Sequence, residues 1–194
     1  MALTSSAEPA AVLDPIERRT LMEIARTAIQ AGVNGRRPAI RFENVSRALL
    51  VPRATFVTLE IEGELRGCIG TLEAFRPLAV DVSENSYSAA FDDPRFPPVS
   101  AFEVEHIELR ISILSPPEPL EFTSESDLLR QVRPRTDGLI LAERGCRATL
   151  LPSVWEQVPN AREFLAHLKL KAGLPADYWS DSMRVLRYTT STVP

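Results

Sequence analysis

TFVTLEIEGELRGCIGT, residues 55–71, consists of two runs of alternating side chains around a polar, glycine-bearing turn. In the first run, Thr55 to Ile61, the side chains of Val57, Leu59 and Ile61 fall on one face, because successive strand residues point to opposite sides. Glu62-Gly63-Glu64 has the composition of a tight turn, and Leu65 to Thr71 returns as the second strand of a hairpin. A period of two in that strand puts Arg66, Cys68 and Gly70 on one face and Leu65, Gly67 and Ile69 on the other. The glycines remove bulk, which marks a bulge or a close approach by backbone or ligand.

Outward from the hairpin, residues 1–13 are small, polar and proline-punctuated and read as a flexible arm. Residues 14–194 read as the folded domain. Asp14-Pro15-Ile16-Glu17 predicts a helix start: Asp14 caps, Pro15 fits the first helical position and Glu17 has capping-box spacing. Leu21, Ile24, Ala25, Ala28 and Ile29 follow at helical spacing, with Gly32 as the expected stop. Downstream of the hairpin, Pro77 to Ala90 predicts a helix with Leu78, Val82, Ala89 and Ala90 inward, ending in the rigid loop Asp92 to Pro98. Ser100 with Glu103 predicts a short capped turn, and His106 to Ile113 a strand with Ile107, Leu109, Ile111 and Ile113 inward. Pro116 to Pro119 reads as an extended connector and Ser124 to Val132 as a short helix. Gly138 to Glu143 and Cys146 to Leu151 read as a second hairpin turning at Arg144-Gly145. A helix capped by Asn160 and Glu163 follows, burying Phe164, Leu165 and Leu168 and stopping at Gly173; Arg184 to Tyr188 is the last expected strand. Hairpins interrupted by helices predict an α+β fold, with an antiparallel or mixed sheet and helices packed on it.

The 194 residues are 44% hydrophobic and 25% charged, which excludes a disordered chain. A net charge of −4 argues against phosphate-gripping nucleic-acid binding. Two cysteines are too few for a disulfide scaffold, the N-terminus lacks a signal-peptide pattern, and no apolar run spans a bilayer. The expected setting is a reducing cytoplasm with both thiols free, and no membrane partner.

Cys68 is the candidate nucleophile, because Arg66 two residues away is expected on the same face and a guanidinium favours the thiolate. Gly67 and Gly70 leave backbone N–H groups able to serve a developing oxyanion. The competing reading makes Cys68 a small core residue. Catalysis needs a base as well, and His106 and His167 are the two histidines available. A zinc site from Cys68, Cys146 and a histidine would need convergence without any close ligand pair, so no metal is expected. Asp92 to Pro98 puts carboxylates, Arg95 and Phe96 on a stiff loop suited to an anionic or aromatic ligand; the structural alternative is an internal Asp–Arg pair with Phe96 as a plug. Arg147, on the second hairpin, could add a cation to such a site or simply be exposed. No phosphate-binding glycine loop, zinc-protease motif or nucleophile elbow is present.

The run Gly63 to Leu72 resembles the hallmark segment of the AMMECR1 domain family. The resemblance continues through Ala90 to Pro98, Ser112 to Pro117, Asp137 to Leu141, Leu151 to Trp155, Phe164 to Lys169 and Arg187-Tyr188, and so covers about residues 15 to 190 in order. It implies an α+β protein with a larger and a smaller lobe, and association with a Memo-like protein and a radical SAM protein. Carried over residue by residue, it places the site on Leu65 to Gly70 with Asp93, Arg95 and Phe96. Relatives often look like His-Arg-Gly-Thr-Phe where this chain has Cys146-Arg147-Ala148-Thr149-Leu150, which removes a histidine from that position.

The leading expectation is an enzyme or enzyme subunit acting on a small molecule by acyl or amide hydrolysis or transfer. In it Cys68 and Arg66 are catalytic, and Gly67, Gly70, Asp93, Arg95, Phe96 and Arg147 bind substrate. No cofactor is expected. The alternatives are a non-catalytic adaptor for the two partners and a nucleic-acid-binding regulator.

Overall fold

A computed structural model describes residues 13–40 and 45–194. The expected arm therefore lies outside the described residues except for Leu13, which is buried in the core. The chain divides into two compact units, one formed by the described residues up to Leu114 together with Ser191–Pro194, the other by Ser115–Thr190.

In the first unit, helix α1 (Pro15–Val33) begins with the expected capping box: the Glu17 N–H donates to Asp14 at 2.8 Å and the Asp14 N–H to Glu17 at 3.0 Å. Gly32 does not stop it. The helix runs to Val33, and a side chain at Gly32 would collide with the Phe91 ring, so this glycine serves a close packing contact. Strands β1 (Thr55–Ile61) and β2 (Glu64–Gly70) form the expected antiparallel hairpin. Its two turn residues, Glu62 (φ 54°) and Gly63 (φ 80°), are both left-handed, the backbone that matches strand twist in a two-residue hairpin. Helix α2 (Leu78–Phe91) packs on both strands, and β3 (Glu108–Leu114) pairs antiparallel with the other side of β1.

Strand β8 (Thr190–Val193) completes the sheet order β2-β1-β3-β8. It lies beyond the last expected strand, and its TSTV sequence carries too little apolar alternation to announce it. Two other expectations need correcting. His106 stands in a short 3-10 turn (Val104–His106), with the strand starting at Glu108. The alternation in β2 is broken by a bulge: Leu59 faces Gly67 but Glu60 faces Leu65, so Arg66 is an extra residue. Leu65 and Gly67 consequently lie on different faces, Leu65 at 42% exposure and Gly67 buried.

The second unit holds the sheet β4-β7-β5-β6, from β4 (Glu118–Leu120), β5 (Gly138–Glu143), β6 (Cys146–Leu150) and β7 (Arg184–Tyr188), with helices α3 (Glu125–Gln131) and α4 (Ala161–Lys171). The β5–β6 hairpin turns as expected at Arg144-Gly145, again with two positive φ values, 46° and 87°. The supposed connector 116–119 contributes β4, because an extended proline-rich segment suits an edge position. Trp155 stacks on Phe164 at 3.8 Å between ring centres in this unit's core. The architecture is therefore the expected α+β one, its antiparallel strands arranged as two four-stranded sheets with helices packed on them. Among the described residues, no helix is long and apolar enough to cross a membrane.

Candidate functional site: a clasp on the edge strand

β2 is an edge strand, and edge strands leave alternate N–H and C=O groups without a strand partner. At Cys68 those groups are taken by side chains. The Cys68 N–H donates to Asp93 Oδ2 at 2.8 Å, and Arg95 Nη2 donates to the Cys68 carbonyl at 3.2 Å. Asp93 and Arg95 are also joined to each other, Nε to Oδ1 at 2.9 Å and Nη2 to Oδ2 at 2.7 Å. Together they present to Cys68 one acceptor and one donor, as a neighbouring strand would.

The loop can do this because of how α2 ends. Asp92 caps the helix, the Arg95 N–H turns back onto Asp93 Oδ1 at 3.1 Å, and the Val99 N–H returns to the Ala90 carbonyl at 2.9 Å. The Arg95 guanidinium holds the Asp93 carboxyl down to about 2, with help from the Cys68 N–H and against a smaller opposing effect of burial. The Asp93 carboxylate in turn raises the Arg95 guanidinium above its ordinary value.

Arg66, on the bulge, makes the second half of the clasp. Its Nε donates to Glu103 Oε1 at 2.7 Å and its Nη2 to the Pro97 carbonyl at 2.9 Å. Glu103 Oε2 accepts the Ser100 N–H and hydroxyl, each at 2.8 Å, which is the capped turn expected from their spacing. Arg66, with the Ser100 backbone second, holds the Glu103 carboxyl down to about 2. The Arg66 side chain is only 12% exposed, and its Nη1 is buried without a partner among the described residues. The guanidinium is thus committed inward. Phe96, half-buried, lies under both cations, 5.9 Å from Arg66 and 5.5 Å from Arg95.

The Cys68 sulfur is half-buried, with the Thr58 hydroxyl 3.4 Å away. His106 is exposed and its Nδ1 faces the Phe102 carbonyl at 3.1 Å; His167 is exposed on α4 of the second unit. Neither supplies Cys68 with a hydrogen-bonded base. The glycines are spoken for as well: a side chain at Gly67 would strike the Ala89 carbonyl of α2, and one at Gly70 the Phe56 ring. The structure thus brings together Arg66, Gly67, Cys68, Gly70, Asp93, Arg95 and Phe96. Arg147 is exposed on β6 of the second unit. Cys146 also belongs to the second unit, and among the described residues no three His, Cys, Asp or Glu side chains converge as a metal site would require.

Two groups escaped the sequence reading. Glu103 was legible in a capped turn with Ser100, and Pro97 in the rigid loop, but neither as a partner of Arg66. The second is a buried network just past the C-terminal end of β2. Asp81, fully buried on α2, accepts from Thr55 (2.6 Å), Thr71 (2.9 Å), Arg76 (2.7 Å) and Asn85 (2.9 Å). Asp81 and Asn85 are four apart and so share a helix face, the signal that could have disclosed them.

The AMMECR1 family model matches residues 22–193. A protein of Methanothermobacter thermautotrophicus is 42% identical over 89% of this chain and 91% of its own length. One from Thermotoga maritima is 43% identical over 76% of this chain and 81% of its own. The crystal structure of uncharacterized protein PH0010 from Pyrococcus horikoshii superposes with a TM-score of 0.87 at 31% identity, covering 93% of this chain and 92% of that one.

Proposed function

Because this chain belongs to the AMMECR1 family, we propose that it works as a non-catalytic adaptor whose docking face is the loop from Arg95 to Phe102. Its partners, by family association, are a Memo-like protein and a radical SAM protein. One observation carries the reading: the charged side chains beside Cys68 in the clasp are spent on holding this loop to β2. Asp93 takes the Cys68 N–H, Arg95 its carbonyl, and Arg66 takes Glu103 and Pro97. The four charges cancel, so the cluster has no surplus cation for an anionic substrate. What it offers to solvent is half of the Arg95 side chain, part of Phe96, Pro97 and Pro98, and Phe102 at 90% exposure. Aromatic and arginine side chains on a stiff scaffold suit a protein contact.

The second reading, hydrolysis or transfer at an acyl or amide centre by an enzyme or enzyme subunit, rests on Cys68 being only partly buried. Calorimetric titration of the chain with each purified partner separates the two. The adaptor reading expects Phe102→Asp to weaken binding at least about tenfold and Cys68→Ser to leave it unchanged. Full binding by Phe102→Asp, or no binding of either partner by the wild type, overturns it. A turnover of the assembled proteins that disappears with Cys68→Ser while binding survives establishes the enzyme reading instead.

A further inference from the structure

Helix α1 packs on α2 and leaves a groove of about 350 Å³ between its second half and the start of β3. Its floor is apolar: Ile29 from α1, and Val104, Ile107 and Leu109 from the opposite wall. Its rim is polar, with Arg26, Thr27 and Gln30 on the helix side and Glu105 facing them from the 3-10 turn. All four are exposed, and among the described residues these four side chains make no hydrogen bond or ion pair. A groove with an apolar floor, a few polar groups and a volume near the lower end of small-molecule pockets has the form of a ligand site.

We propose that this groove binds a small zwitterion with an apolar body, of the class of the aliphatic and aromatic α-amino acids. The rim carries one guanidinium and one carboxylate. A simple anion would be drawn to Arg26 but repelled by Glu105, and a simple cation the reverse. A ligand with a carboxylate and an ammonium group on one carbon satisfies both, while Thr27 and Gln30 supply neutral donors and acceptors. The side chain then covers Ile29, Ile107 and Leu109, gaining the burial that free solvent denies it. The site is distinct in residues from the Cys68 clasp and does not depend on how that clasp is used.

The test is a titration of the isotope-labelled full chain, followed by NMR, with L-leucine, L-phenylalanine, glycine and 4-methylpentanoate. The expected result is a saturable shift of the Ile29, Ile107 and Leu109 signals with leucine or phenylalanine. Glycine, lacking the apolar body, and 4-methylpentanoate, lacking the ammonium group, should bind at least about tenfold more weakly. Arg26→Gln and Glu105→Gln should each weaken binding by about tenfold. Thr27→Trp, a change at an exposed helix position that fills the groove, should abolish it with the melting temperature kept. No saturable shift at about 10 mM, equal affinity for 4-methylpentanoate, or unchanged binding in Thr27→Trp each overturns the proposal.

Discussion

At the scale of single residues, Asp93 and Glu103 decide how the clasp responds to acid. Both carboxyls sit at about 2 in the folded chain, against ordinary values of 3.8 and 4.5. A depressed folded value means that the unfolded chain takes up protons first, so stability falls as pH falls. The contribution is complete above about pH 5 and disappears between there and about pH 2. Urea melts across that range should show the loss, and Asp93→Asn together with Glu103→Gln should flatten it. Gly67 makes a second prediction. Gly67→Ala would press its methyl into the Ala89 carbonyl, a backbone atom with little freedom to move, and should cost about 1–3 kcal/mol in chemical denaturation. A neutral result would mean that β2 shifts to make room.

At the scale of elements, β2 is held at its middle and just past its C-terminal end by side chains that come from α2 and its flanking loops. Asp81 gathers Thr55 of β1, Thr71 just past β2, Arg76 from the intervening loop and Asn85 of α2 onto one carboxylate. Removing the carboxylate leaves the part-buried Arg76 and three polar side chains without their common partner. Asp81→Ala should therefore cost roughly 3–5 kcal/mol, read as a fall in denaturation midpoint; a loss under about 1 kcal/mol would show that water replaces the carboxylate. At Cys68, within the strand, Asp93 and Arg95 occupy the positions where another strand would pair. An uncovered edge is a template for association. The double variant Asp93→Ala, Arg95→Ala should self-associate at concentrations where the wild type does not, visible by light scattering, and continued wild-type behaviour would show that the loop backbone alone protects the edge.

At the scale of the whole molecule, two hydrophobic clusters lie in two units, and the chain serves them differently. The second unit is one continuous segment, Ser115–Thr190, with its own core of Trp155, Phe164, Leu128 and Leu139. The first takes its fourth strand from the far end of the chain, and Val193 of β8 is buried among its core residues. A fragment of residues 115–190 should therefore fold by itself, with a cooperative thermal melt and dispersed NMR signals. A chain cut after Thr189 should lose stability in the first unit, since β3 would be left as an open edge and the Val193 contact would be gone. A non-cooperative fragment would show that the second core is too small to stand alone.

The sequence by itself determined what depends on neighbours along the chain. The capping box of Asp14 and Glu17, the cap at Asn160 and the turns of the two hairpins all rest on contacts within a few positions, and all were legible. An internal Asp–Arg pair in the stiff proline loop was legible as one alternative, and the structure chose Asp93 over Asp92 as the partner of Arg95. Tertiary structure decided what joins distant segments. The choice of Glu103 for Arg66 spans 37 positions, and it removes the cation the sequence seemed to offer Cys68. The bulge that moves Leu65 and Gly67 to different faces lies where β2 meets both β1 and the Ala89 carbonyl, two contacts that no single strand pattern contains. β8 joins the first sheet for the same kind of reason: four weakly apolar residues become a strand only where β3 already presents an edge to pair with.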